Sequence, residues 1–196
     1  MDGAEESFEP IRVGIFGGSF NPPHVAHVLA AAYALLVAPI DRVVIVPVFC
    51  HPFSKELASF EDRLAMCRLA FEALPHVEIS TVEQELGGES RTLRTVEHLK
   101  ALHPDWRLRL LLGSDVVPDL PKWHRFDRIA EIAEPFVIER RGATSDEARA
   151  LLPEVSSTEI RALFERGAFD ELASLVPRRV LEYARERGLY ALSAEG

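Results

Sequence analysis

From residue 11 the chain alternates short apolar runs rich in β-branched residues with segments whose apolar positions recur every three to four residues. The runs are 11–16, 42–48, 77–81 and 107–112, with a further strand at 135–140, and the helical segments between them are 25–37, 60–74, 92–102 and 126–133. Such alternation predicts βαβ units on a parallel sheet. Residues 42–48 (RVVIVPV) and 107–113 (RLRLLLG) are mostly apolar rather than alternating, as strands are when helices cover both faces. The predicted fold class is therefore α/β, a doubly wound parallel sheet. Ser59-Phe-Glu-Asp62 reads as a capping box that opens the helix 60–74. After Gly142 the pattern is helical only, in segments 145–152, 158–166, 169–175 and 178–187 separated by Gly167 and Pro177. A small helical C-terminal part, 145–196, is expected to cap the sheet. No repeat, low-complexity stretch or long linker divides the 196 residues, which read as one domain with 1–10 flexible.

Charge narrows the partners. A formal net charge of −9 argues against a surface that neutralises a nucleic-acid backbone, so any anionic ligand must be met by a local cluster. The two cysteines, Cys50 and Cys67, have no metal-ligand spacing and suit a reducing compartment. The first residues are acidic where a secretory signal is basic, and no apolar run reaches the roughly 18 residues of a membrane span. A cytoplasmic protein is expected.

The first strand runs into Gly14-Ile-Phe-Gly-Gly-Ser-Phe-Asn-Pro-Pro-His-Val-Ala-His27, with a helix starting at about Pro23. Glycines at the carboxyl end of a first strand, followed by a helix N-terminus, make an anion site from backbone N–H groups and the helix dipole. The spacing is neither GxGxxG nor a P-loop, which disfavours redox dinucleotide and kinase readings. His24 and His27, three apart at the helix start, can turn both rings to one ligand. Read alone the pair is a chance juxtaposition, a phosphate site or, less readily, part of a metal site. In Val155-Ser-Ser-Thr-Glu-Ile-Arg161 a serine, Ser156 or Ser157, can cap the next helix, gathering hydroxyls, N–H groups and Arg161 at one anion-attracting end. Leu112-Gly-Ser-Asp115 closes a predicted strand where α/β ligands collect, and there Asp115 can accept hydrogen bonds from a ribose or simply cap the following turn.

Together these segments resemble the nucleotidyltransferase superfamily, whose Gly-Gly-Thr/Ser-Phe-Asp/Asn-Pro stretch and His-x-Gly-His are matched by GGSFNPPHVAH, with Ala26 in place of the usual Gly. VSSTEIR resembles the family's Ile-Ser-Ser-Thr-x-Ile-Arg, and Leu120-Pro-Lys-Trp-His124 resembles a segment of nicotinate mononucleotide adenylyltransferases in which the Trp stacks on the pyridine ring. Ser90-Arg-Thr-Leu-Arg-Thr95 is similar to the family's Ser/Thr-Tyr-Thr-x-x-Thr, with Arg91 at the aromatic position. Cys50-His-Pro-Phe-Ser-Lys55 corresponds to its Pro-Pro-His-Lys loop, and the tail from Leu175 to Tyr190 to its closing stretch.

The resemblance implies a Rossmann-like nucleotidyltransferase fold and transfer of AMP from ATP to nicotinate mononucleotide, giving deamido-NAD and pyrophosphate. It assigns His24, His27, Arg161 and Lys55 to the phosphates. Gly17, Gly18, Ser19, Phe20, Gly113, Asp115, Ser156, Ser157 and Thr158 would shape the ATP side, and Thr92 and Trp123 the acceptor side. Mg2+ is expected to arrive with ATP, since no carboxylate cage is visible. Nicotinamide mononucleotide or phosphopantetheine as acceptor, or a non-catalytic nucleotide sensor, stay open at this point.

Overall fold

The computed structural model of the protein describes residues 9–50, 57–139 and 152–191. Five strands form one parallel sheet: β1 (Arg12–Gly18), β2 (Arg42–Pro47), β3 (Val77–Ile79), β4 (Arg107–Gly113) and β5 (Ala133–Ile138). Their spatial order is β3-β2-β1-β4-β5, so the chain winds outward from β1 in one direction and then jumps to β4 to wind in the other. The helices are α1 (Val25–Val37), α2 (Phe60–Phe71), α3 (Val82–Leu86), α4 (Thr92–Leu102) and α5 (Phe126–Ile132), followed by α6 (Ser157–Glu165), α7 (Phe169–Leu175) and α8 (Arg178–Glu186). The predicted segments 25–37, 92–102 and 169–175 match α1, α4 and α7 at both ends. Two short elements escaped the pattern, α3 and a 3-10 turn Val117–Lys122, each too brief to show periodicity. The expected helix 145–152 lies almost wholly outside the described residues.

The central strands β1, β2 and β4 bury residues on both faces because the sheet separates two cores. One holds α1, α2 and the C-terminal helices against Val43, Ile45, Leu111 and Ile138; the other packs Val96, Leu99 and Ile129 on Val13, Ile15, Leu108, Leu110 and Leu112. The near-continuous apolar runs of β2 and β4 follow from this arrangement. Among the described residues no helix is long and apolar enough to cross a membrane.

The C-terminal helices are fixed to the rest of the fold by polar ties as well as by packing. Asp62 on α2 accepts hydrogen bonds from Tyr183 (2.8 Å) and Arg187 Nε (3.2 Å), and Arg179 pairs with Glu72. Burial is the largest single influence on the Asp62 carboxyl and pushes it up, but the hydrogen bonds from Ser59, Tyr183 and Arg187 together outweigh it and hold the group below its ordinary value.

The β1–β4 ladder stops at the Ile15–Leu110 pair, although β1 continues to Gly18 and β4 to Gly113. The carboxyl ends of the two strands therefore part where the winding reverses, which is where open α/β sheets take ligands.

Candidate active site

The loop leaving β1 forms one wall of this crevice. A side chain at Gly18 would crowd Phe20, because a Cβ would sit 3.2 Å from its Cε2 and Cζ and the ring would have to give by a few tenths of an ångström. Phe20 takes a left-handed φ of 46°, uncommon for an aromatic, and its ring is only 1% exposed. It meets His27 edge-on at 4.9 Å and Phe71 at 6.2 Å. The Phe20 ring is thus buried as a prop against His27, so any part of this residue in shaping the ATP side falls to its backbone.

His24 is the N-cap of α1 and His27 the third residue inside the helix. Their rings stack with centroids 3.7 Å apart and planes inclined by 29°. The backbone N–H of His24 donates to His27 Nδ1 at 3.2 Å. In its neutral form His27 then carries its proton on Nε2, the nitrogen farther from the backbone. The arrangement satisfies one of the helix's orphan N–H groups and makes His27 a hydrogen-bond donor at a positive helix end. Ala26, where the resemblance has Gly, is 1% exposed and packs in the core.

The second wall comes from α6. Ser156 is its N-cap, the side-chain oxygen accepting from the Glu159 N–H (3.2 Å), while Ser157 Oγ–H donates to the Pro22 carbonyl (3.0 Å). Of the two serines allowed by sequence, Ser156 is therefore the cap and Ser157 the tie to the β1 loop. Arg161 donates to the Asn21 carbonyl through Nη1 (2.9 Å) and to Thr158 Oγ1 through Nη2 (3.2 Å). Residues about 140 apart in sequence are in this way held against one another at the first helix's N-terminus.

Gly113, at the end of β4, and the exposed Asp115 stand across the parting strands from Gly17 and Gly18. The 3-10 turn that follows delivers Trp123, half-buried and edge-on to Phe126 at 6.3 Å, on the same carboxyl side of the sheet. Thr92 opens α4, whose N-terminus is anchored through the preceding Ser90: its Oγ accepts from the N–H groups of Phe49 (2.9 Å) and Cys50 (3.3 Å). Among the described residues no hydrogen bond or ring contact joins Thr92 or Trp123 to the histidine pair. Lys55 lies outside the described residues.

Three residues absent from the predicted set organise the loop. Asn21, buried, accepts on Oδ1 from the Ala58 N–H (3.0 Å) and the Tyr190 hydroxyl (2.9 Å). Burial pushes the Tyr190 phenol far above its ordinary value, so it remains a donor at neutral pH. Arg63, also buried, donates to the Ser19 carbonyl (3.0 Å). Asn21 and Tyr190 lie inside quoted motifs; Arg63 was detectable only as a cation in the apolar stripe that includes Cys67 and Ala70 on α2.

Cations and N–H donors thus dominate this crevice, a set that suits phosphate oxygens and not a metal ion. Among the described residues no group of three or more His, Cys, Asp or Glu could hold a cation.

Comparison with known proteins bears on the same region. The model of the cytidylyltransferase-like family matches residues 15–163. A probable nicotinate-nucleotide adenylyltransferase of Anaeromyxobacter sp. (strain K) is 46% identical over 182 residues, 91% of this chain and 96% of its own length. One from Myxococcus xanthus (strain DK1622) is 44% identical over 184 residues, 93% and 96% of the two chains. Among solved structures, nicotinic acid mononucleotide adenylyltransferase of Plasmodium falciparum, complexed with NaAD, superposes with a TM-score of 0.82 over 92% of this chain and 97% of its own; at 20% identity that likeness speaks for the fold.

Proposed function

This chain belongs to the cytidylyltransferase-like family and, within it, to the nicotinate-nucleotide adenylyltransferases, and from that premise we propose how its own residues carry the reaction. The protein transfers the AMP of ATP to nicotinate mononucleotide, giving deamido-NAD and pyrophosphate in NAD biosynthesis. A phosphate oxygen of the acceptor attacks the α-phosphorus; the bond from that phosphorus to the bridging oxygen breaks, and its electron pair leaves with pyrophosphate. No protein nucleophile is required, so the residues contribute position and charge.

The observation that carries this reading is the junction of the two phosphate-binding motifs, Ser157 and Arg161 bonding to Pro22 and Asn21 beside the histidine pair. In it, His27 directs Nε2–H at phosphate oxygens that gain charge as pyrophosphate departs, with His24 stacked behind. Arg161 has five N–H donors, and its two hydrogen bonds to the protein leave others for phosphate. Gly17, Gly18 and Ser19 supply backbone to the triphosphate from one wall, and Ser156, Ser157 and Thr158 close it from the other. Gly113 and Asp115 take the ribose side, Thr92 and Trp123 the acceptor, and Lys55 is assigned to the phosphates from the sequence alone.

Magnesium is proposed as the metal, held by the oxygens of ATP because the protein's donor set does not suit a cation, and it neutralises part of the triphosphate charge. We further propose that the protein works in the cytoplasm, a reducing compartment that suits its two free cysteines.

Product identification tests the reading. Incubation with ATP and nicotinate mononucleotide should yield deamido-NAD by mass spectrometry with one pyrophosphate for each dinucleotide. Release of AMP and pyrophosphate without the dinucleotide would contradict it.

A further inference from the structure

Arg63 is the largest fully buried side chain among the described residues, 1% exposed, and everything that it bonds to there is a backbone carbonyl. Nε donates to Ala58 (3.0 Å), Nη1 to Ser19 (3.0 Å) and Nη2 reaches toward Phe49 at 3.5 Å, while the guanidinium lies 5.5 Å from the Phe60 ring centroid. These carbonyls belong to three separate segments: the loop after β1, the strand exit after β2 and the approach to α2.

Among the described residues no carboxylate forms an ion pair with Arg63. Its neighbour Asp62 is engaged by Ser59, Tyr183 and Arg187. Cys67 and Tyr190 stand near enough to influence the guanidinium, but burial pushes the thiol and the phenol both upward, so both are neutral at neutral pH. Glu61 is the carboxylate that acts on it, the smallest of the three influences, and it is exposed.

A guanidinium does not shed its proton at neutral pH, and a buried charge without a counter-ion is costly. The fold nevertheless sets one directly beneath the Ser19 carbonyl, on the loop between Gly18 and His24. There its field is little screened, and its hydrogen bond engages that carbonyl's negative end.

We propose that Arg63 is a positioning residue of the polyphosphate site, a buried cation that fixes the loop after β1 and whose missing counter-charge is supplied by the phosphates of ATP. The proposal rests on the adenylyltransferase reading above. It makes the charge matter beyond the hydrogen bonds: a structural clamp would need donors alone, whereas this role needs a cation.

Two variants separate these roles. Arg63→Gln keeps N–H donors and loses the charge; Arg63→Lys keeps the charge and loses the fork. Calorimetric titration of the purified full-length proteins with ATP and, in parallel, with adenosine gives the readout. Arg63→Gln should weaken ATP about thirtyfold with adenosine affinity changed less than about threefold, and Arg63→Lys should hold ATP within about fivefold of the parent. Equal ATP affinities in the two variants, or equal losses for ATP and adenosine, overturn the proposal. If Arg63→Gln does not fold, the lysine variant decides alone: ATP weakened thirtyfold or more in a folded Arg63→Lys overturns it, and retention within fivefold supports it. A parent protein that binds no ATP would overturn the functional reading instead, which keeps the two failures distinct.

Discussion

Replacing His27 with alanine should leave a folded protein that binds ATP and turns it over slowly. Beside its stacking on His24 at 3.7 Å, the ring makes two structural contributions whose size can be gauged. Its Nδ1 accepts the His24 N–H at 3.2 Å, a cap-like bond whose loss costs about 1 kcal/mol. Its edge-on contact with Phe20 at 4.9 Å adds about 0.5–1.5 kcal/mol. Together they fall well below the roughly 5–15 kcal/mol that holds a domain folded. The catalytic contribution proposed for the ring is its Nε2–H donor, preorganised because Nδ1 accepts the His24 N–H. Loss of one such donor to charge that develops in the transition state typically costs about 10²–10³ in kcat, or about 2.7–4 kcal/mol. The loss should appear in kcat with little change in ATP affinity, since the interaction strengthens as the bond to pyrophosphate breaks. Calorimetry with ATP, steady-state turnover and a thermal melt on one preparation make the assay. A kcat within about threefold of the parent, with the protein folded, would show that the histidine pair is scaffold and that the transfer is driven from elsewhere in the crevice.

Three further outcomes follow from the same structure. Trp123→Ala should raise the acceptor KM by about two- to tenfold with ATP binding intact, from loss of a stacked ring; a lowered melting temperature with unchanged kinetics would make Trp123 a packing residue only. Asp62, held below its ordinary value, contributes stability that is present above the unfolded-state value of about 4 and lost as pH falls through the lower folded one. Thermal melts of Asp62→Asn should accordingly decline less between about pH 5 and pH 3 than those of the parent, and parallel declines would refute the assignment. Cys50 is exposed whereas Cys67 is buried with its thiol pushed up, so iodoacetamide should label Cys50 in the native protein and Cys67 only after unfolding; rapid native labelling of Cys67 would refute its burial.

Much of the fold was legible because helix periodicity and apolar runs are local signals. α1, α4 and α7 were readable to the residue, and all five strands to within two residues at each end, the largest shifts being the carboxyl ends of β1 and β3 and both ends of β5. The site's segments were legible too, since glycines, histidines and capped helix starts at strand ends have direct physical meaning. Three-dimensional consequences were not. Phe20 sits in a ligand motif, yet its ring points inward because the left-handed turn at that residue buries it. The bonds from Arg161 to Asn21 and from Tyr190 to the same residue join positions 140 and 169 apart, beyond the reach of any window. Arg63 is the clearest case: a sequence pattern assigns an arginine to the solvated face of a helix, and only the carbonyls of Ser19, Ala58 and Phe49, brought together by the fold, make its burial tolerable.

The central claim is that this crevice joins ATP to nicotinate mononucleotide in preference to related acceptors. A pyrophosphate-release assay at fixed ATP, run in parallel with nicotinate mononucleotide, nicotinamide mononucleotide and phosphopantetheine, tests it most directly. A site that recognises a carboxylate with donors leaves the amide's own N–H groups facing donors, a penalty of about 1–3 kcal/mol, so kcat/KM should favour the acid over the amide by about five- to 150-fold. Phosphopantetheine should give no measurable release. Equal or higher kcat/KM with the nicotinamide form or with phosphopantetheine would contradict the account, and ATP binding without release in all three would leave a nucleotide sensor in its place.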